Sequence, residues 1–327
     1  MKIRTILSPA LVAMLALSTA ACGGGSDDEP AAAAAAEGGL TKVNLTSLAI
    51  GQVAPFVLAE KEGIFEDHGI DLEISFVEPA ALVPTLMSGD ADLIWGNPPA
   101  LMAARANNVP IKSVTTVSTA GDDPSTFPIQ VMVSPDSDIK TLEDLAGKKI
   151  ATASLFQLPD LALMESLDQA GVDASSVEFV EIPFPNMGET LAAGRVDAII
   201  STEPFVTILK GSGAAVPLVS VSEGLPATTP ISALLASEKW ISDNSDVVDE
   251  FRAAVDEATE YALAHDDEVR AVIPTITEVP EDLAGVISLA PMDTTDDAAG
   301  WDAWADLLVQ VGVIDEKPDS ADAFLAD

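Results

Sequence analysis

Two histidines, one cysteine and a few carboxylate pairs are what catalysis or metal chemistry would have to be built from in this chain of 327 residues. His68 falls in a turn and His265 beside an acidic helix, with no serine or cysteine placed as a nucleophile and no metal-ligand spacing around either. Asp122-Asp123, Asp266-Asp267 and Asp296-Asp297 are neighbours in loops. Acid–base work needs two carboxyls that face one substrate from separated positions, so these pairs read as solvated charge. No Gly-Lys-Ser/Thr cradle for phosphates occurs, and any ATP hydrolysis this chain depends on must belong to another polypeptide.

The residue types that remain suit binding rather than turnover, and they gather at four places where a β-like run gives way to a helix. Gly51, Gln52, Val53 and Ala54 form the first: Gly51 allows close backbone approach and is expected to pack against little, while Gln52 can donate and accept. Trp95, Gly96, Asn97 and Pro98 form the second. Asn97 is placed to cap the following helix, and Trp95 is either core or an aromatic wall. Ser154, Phe156 and Gln157 form the third, Thr202, Glu203 and Phe205 the fourth, and Phe184 with Ser118 and Thr119 complete the rim. None of these loops carries Arg or Lys to clamp an anion, and the aromatics favour an organic ligand with a flat or apolar portion.

Such junctions need a frame that alternates strand and helix, and from Lys42 onward the chain has that rhythm. Strands are expected over 43–50, 70–77, 91–95 and 111–118, with helices over 55–61, 80–88 and 98–106 between them. Turn residues on both sides isolate a strand at 128–133, read as a crossing between lobes. A second series follows: helix 142–146, strand 149–153, helix 159–170, strand 177–182, helix 187–193, strand 197–201, helix 204–210 and strand 216–221. A second isolated strand at 230–235 precedes helices over 244–265, 281–289 and 296–311. The fold class is α/β, with lobe one over 41–126 and 234–327, lobe two over 127–233, and a ligand cleft between them.

Composition narrows the function further. Fifteen Lys+Arg against 53 Asp+Glu give a formal charge of −38, which repels phosphate backbones and excludes a nucleic-acid partner. With 48% hydrophobic residues and a mean hydropathy of +0.31 the chain has ample apolar surface for a folded core. A single cysteine permits neither an internal disulfide nor a Cys-based metal site. A monomer with no cofactor and no metal is expected.

Lys2 and Arg4 precede the apolar run Ile6–Leu17 and the small residues Ser18–Ala21, the pattern of an export signal over 1–21. The cysteine that follows resembles a bacterial lipoprotein box, with Thr19 where Leu is usual, and this implies lipidation of Cys22. Residues 22–40, rich in Gly, Asp and Ala, read as a flexible tether between that lipid and the folded part.

Four blocks carry a family resemblance: Ala54-Pro55-Phe56 with Ala59–Phe65, Leu86–Asp92, Ser137–Ile150, and Leu191–Ala198 with Glu203-Pro204-Phe205. In that order they resemble the substrate-binding proteins of nitrate/sulfonate/taurine-type ABC importers. The resemblance implies the periplasmic-binding-protein type II fold, with two α/β lobes joined by two crossover segments. It also implies a small-molecule ligand, an extracytoplasmic location, and a permease and ATPase as separate chains. Asp92, Asp197 and the Gly147-Lys148-Lys149 turn are read as residues of the frame.

An enzyme on the same fold, of the pyrimidine-synthase or dehydratase kind, is the second reading; the export signal and the lack of a cysteine-rich motif weigh against it. The anchor is testable by Cys22→Ser, which should leave a folded protein that moves from the detergent phase to the aqueous phase, because a diacyl group supplies the two chains that stable anchoring needs. Wild-type protein already in the aqueous phase would refute the anchor.

Overall fold

Ten strands among the described residues form two five-stranded sheets, ordered β2-β1-β3-β10-β4 and β7-β6-β8-β5-β9. The computed structural model describes residues 39–223, 225–277 and 279–325. The export signal, Cys22 and the tether up to residue 38 lie outside them.

In the first sheet β1 (Thr41–Ser47), β2 (Ile70–Phe76) and β3 (Leu93–Gly96) run parallel, with α1 (Ala54–Lys61), α2 (Ile64–Asp67) and α3 (Leu82–Ser88) as connections. Then α4 (Pro98–Ala106) leads to β4 (Ile111–Thr119). The second sheet holds β5 (Ile129–Val133), β6 (Lys149–Thr152), β7 (Glu178–Glu181), β8 (Ala198–Thr202) and β9 (Val216–Ser220). Its helices are α5 (Leu158–Gln169), α6 (Phe184–Ala192) and α7 (Phe205–Gly211). The chain returns in β10 (Pro230–Ser237) and ends with α8 (Glu238–Asp243), α9 (Ser245–Ala264), α10 (Asp266–Ile276), α11 (Glu281–Ala284) and α12 (Ala298–Gln310).

β8 and all but the last residue of β10 are buried, as their near-continuous apolar runs require of strands covered on both faces. One hydrophobic core joins Phe56, Phe65, Trp95 and Phe251 between the first sheet and α1, α2 and α9. There Trp95 meets Phe56 edge-on at 5.8 Å. A second core runs from Leu101, Trp301 and Trp304 to Leu158, Leu161 and Ile150, so apolar packing is continuous from one sheet to the other.

The two sheets repeat one device. Asp92 accepts the Asn44 N–H at 2.8 Å, and Asp197 accepts the Lys149 N–H at 2.8 Å, each from 48 residues away in the chain. Each carboxylate thus ties the start of its sheet's third parallel strand to the strand beside it, which is the frame role expected of both.

The chain passes between the sheets twice. β5 follows the first sheet yet pairs antiparallel with β8 and β9, and β10 follows the second yet pairs antiparallel with β3 and β4. Between these strands the passages run side by side, with Ala120 N–H on the Thr229 carbonyl and Gly121 N–H on the Ala227 carbonyl, both at 2.9 Å. Residues 230–233, expected in the second lobe, pair with the first sheet: Pro230 lies opposite Thr119 and Ala233 opposite Gly96.

Some helices also differ from expectation. Residues 143–145 make only one 3-10 turn where a helix over 142–146 was predicted. The helix predicted over 281–289 stops at Ala284, and Val286–Met292 carries no helix. α10 was not expected; its Pro274 lies within the last turn, and Asp266, Asp267 and Glu268 in the first turn suit the helix N-terminus.

Trp304 secures the second passage: its indole N–H donates to the Pro230 carbonyl at 2.8 Å in a fully buried setting. Trp304→Phe leaves that carbonyl unpaired and a gap beside it, and should lower unfolding free energy by about 2–4 kcal/mol. Urea denaturation checks this; a loss below about 1 kcal/mol would show that the bond is dispensable.

Candidate ligand-binding cleft

Between the carboxyl ends of the parallel strands of both sheets lies a cavity of about 340 Å³, near the lower end of the ~300–1,000 Å³ usual for small-molecule sites. One wall carries Ile50, Gln52, Leu82, Val83 and Trp95, and the other Ala153, Ser154, Gln157, Phe184 and Thr202. Pro128, Ile129, Ile231 and Ser232, at the starts of the two returning strands, make the floor. None of the described lining residues is Asp, Glu, Lys, Arg or His.

The sequence-selected residues divide sharply. Gln52, Trp95, Gly96, Asn97, Ser154, Gln157, Phe184 and Thr202 are brought together in this cavity. Gly51 is not: a Cβ there would lie 3.4 Å from both Ile287 Cγ2 and Leu289 Cδ2, so it packs under the cleft instead of facing open space. Val53 and Ala54 are fully buried core, and Pro98 is the buried first residue of α4. Ser118 turns its hydroxyl to that of Ser232 and lines a separate cavity of about 200 Å³, while the Thr119 N–H donates to the Pro291 carbonyl. Phe205 stands behind the wall, stacked on Phe184 at 5.4 Å.

Phe156 is 43% exposed with a left-handed φ of 57°, and it lies outside the cavity lining. Its backbone is held by Asp160, whose carboxylate accepts the N–H of Phe156 at 2.6 Å and of Gln157 at 2.9 Å. Glu203 is buried and serves the other side of the hinge: its carboxylate accepts the Thr207 N–H and hydroxyl at 3.0 and 2.9 Å and the Ser288 N–H at 3.3 Å. Burial pushes Glu203 above the ordinary carboxylate range, against the pull of those donors.

Asn97 caps its helix as expected and also reaches across the cleft. Its Oδ1 caps α4 by accepting the Ala100 N–H at 2.9 Å, and its Nδ2 reaches Gln157 Oε1 across the cleft at 3.4 Å. Gln310 and Asp168 make a second contact between the lobes at 2.9 Å. The histidines lie elsewhere: His68 sits between Glu250 and Glu257, and His265 stacks on Tyr261.

The wall at Pro79, Ala80, Leu82 and Val83 was missed. It follows β2 at a strand-to-helix junction, so the rule that found the other four applies to it too. The floor residues had no such signal, because only the pairing of β5 and β10 brings them here.

Two α/β lobes joined by paired passages around a cleft define the periplasmic-binding-protein type II architecture. The chain belongs to the family described as NMT1/THI5 like, which matches residues 50–269. A Brucella abortus protein described as a binding protein is 23% identical over 284 residues, covering 83% of this chain and 85% of its own. A Haemophilus influenzae protein named for thiamine biosynthesis is 29% identical over 224 residues, 66% of each chain. Among solved structures, the alkanesulfonate-binding protein SsuA from Xanthomonas axonopodis pv. citri, bound to MOPS, aligns with a TM-score of 0.74 at 19% identity. The alignment covers 88% of this chain and 99% of SsuA. No described helix is long and apolar enough to cross a membrane.

Asp160 gives the cleft a pH dependence. Burial, ahead of the opposing N–H donors, pushes its carboxyl up to about 6 from an ordinary 3.8. With the folded value raised, its contribution to stability is complete below pH ~4 and is lost as pH rises through about 6. Between pH ~4 and ~7, wild type should therefore lose on the order of 1–3 kcal/mol more than Asp160→Asn in urea denaturation. Parallel pH profiles would remove Asp160 as the cause.

Proposed function

We propose that this protein is the solute-capturing component of an ABC importer: it holds a small organic molecule between its lobes and presents it to a permease, with a separate ATPase driving uptake. The observation that carries the reading is the cavity walled by both sheets over a floor made by the two returning strands. A ligand touching both walls favours the closed arrangement through its differential affinity, and closure changes the face offered to a permease. Family membership and the likeness to a sulfonate-binding protein support it. We place the protein outside the cytoplasm as a monomer tethered through Cys22, with lobe one at 41–126 and from Pro230 onward and lobe two between them, the second boundary moved back from 233 to the start of β10. The aromatic and aliphatic walls suit a vitamin precursor of that size, or the organic portion of an acid or a sulfonate, better than a bare inorganic ion.

The name of the Haemophilus relative keeps an enzyme on this fold as the second reading. One experiment separates the two. Trp95 lines the cavity, whereas Trp301 and Trp304 are buried in the core away from it. Titration with growth-medium metabolites should give a saturable change in tryptophan emission that Trp95→Phe abolishes, together with a smaller radius of gyration in solution scattering. Conversion of the bound solute to a product would establish the enzyme instead, and no saturable response across the metabolites would remove the receptor reading.

A further inference from the structure

We infer that the cleft selects an uncharged organic solute whose amide-like edge, an N–H beside a C=O, pairs with the carboxamide of Gln52, and that it discriminates against oxyanions; this rests on the receptor reading above. The recognition half comes from Gln52. Its Oε1 is buried and has no protein partner, although the side chain reaches the wall of the cavity. Turning the carboxamide over would bury Nε2 in the same place and leave a donor unpaired instead. Either orientation asks for a complementary group, and a carboxamide or lactam edge supplies donor and acceptor together. Trp95 stands in the same wall and Phe184 in the opposite one, so a flat group can lie along aromatic surface while its edge meets Gln52.

The discrimination comes from the lack of a cationic side chain among the described lining residues and from the carboxyls that stand behind the wall. The nearest guanidinium, Arg270 in the adjoining small cavity, is committed to Asp266 at 2.6 Å and to the Ile287 carbonyl. Three of the helix N-termini at the cleft, those of α4, α5 and α7, are committed as well. Asn97 Oδ1 takes the free N–H of α4, the Asp160 carboxylate takes those at the start of α5, and the Glu203 carboxylate takes that of Thr207 in α7. Two of these three caps are themselves carboxyls buried behind the cavity wall, and an anion in the cleft would face them with no cationic side chain opposite among the described lining residues.

Calorimetry on the full chain with three matched pairs tests this: nicotinamide against nicotinate, benzamide against benzoate, and benzenesulfonamide against benzenesulfonate. The uncharged members should bind saturably and at least tenfold tighter than their charged partners. Gln52→Met, which keeps length and removes the amide, should weaken the uncharged members tenfold or more without lowering the melting temperature, since no hydrogen bond of the folded protein is lost. Charged members binding as tightly as their partners would overturn the inference and leave the receptor reading intact, as would Gln52→Met with unchanged affinity. Silence from all six compounds would also overturn it, and the tryptophan titration above then decides the receptor reading on its own.

Discussion

The two strands that cross to the opposite sheet are the constraint on which the cleft depends. β10 pairs antiparallel inside a sheet whose other strands come from the first part of the chain, β5 opens the second sheet and also pairs antiparallel there, and each begins at the cavity floor. Because each of these strands is hydrogen-bonded on both sides, it is held firmly in the sheet it joins. The passages between them, held together by the Ala120–Thr229 and Gly121–Ala227 bonds, are left as the segments that can bend. The result is two sheets, each held by its own ladder, joined by the paired passages and by the apolar core that runs between them.

Around that edge the lobes touch through groups of different strength. Ser288 and the Glu203 carboxylate meet in a buried setting, Gln310 and Asp168 meet in solvent, and Asn97 meets Gln157 at the mouth of the cavity at the long end of hydrogen-bond range. The contact nearest the ligand space is therefore the weakest of the three. That ordering suits opening at the mouth while the far side stays engaged.

Much of the frame was legible in the sequence because it obeys local rules. Pro98 and Asn97 announce α4, the apolar runs of β8 and β10 announce strands buried on both faces, and ten strands were expected where ten are found. Legibility fell where a side chain's neighbour comes from far along the chain. Gly51 looked free because the sequence does not show that Ile287 and Leu289 fold over it, and Glu203 looked like a rim residue because Ser288 is 85 residues away. Seven cavity residues were found by the strand-to-helix rule, which describes the end of a sheet and needs no tertiary partner. The floor escaped it, since Ile129 and Ile231 stand at the beginnings of strands that enter their sheets backwards.

The same division explains how one frame can serve different solutes. Asp92 and Asp197, the paired passages and the buried tryptophans lie behind the wall and are occupied with holding strands in register. The cavity surface is made instead of side chains that make few bonds of their own, such as Gln52, Thr202 and Ser154, set among Trp95, Phe184 and aliphatic residues. Changing one of them alters polarity at the ligand without removing a hydrogen bond from the frame. Charge enters the surroundings through Asp160 and Glu203, which lie one layer deeper and cap helices that point toward the cleft. The electrostatic character of the site is thus fixed by residues that the ligand does not touch, and substitutions in the wall can refine shape and hydrogen bonding without reversing it.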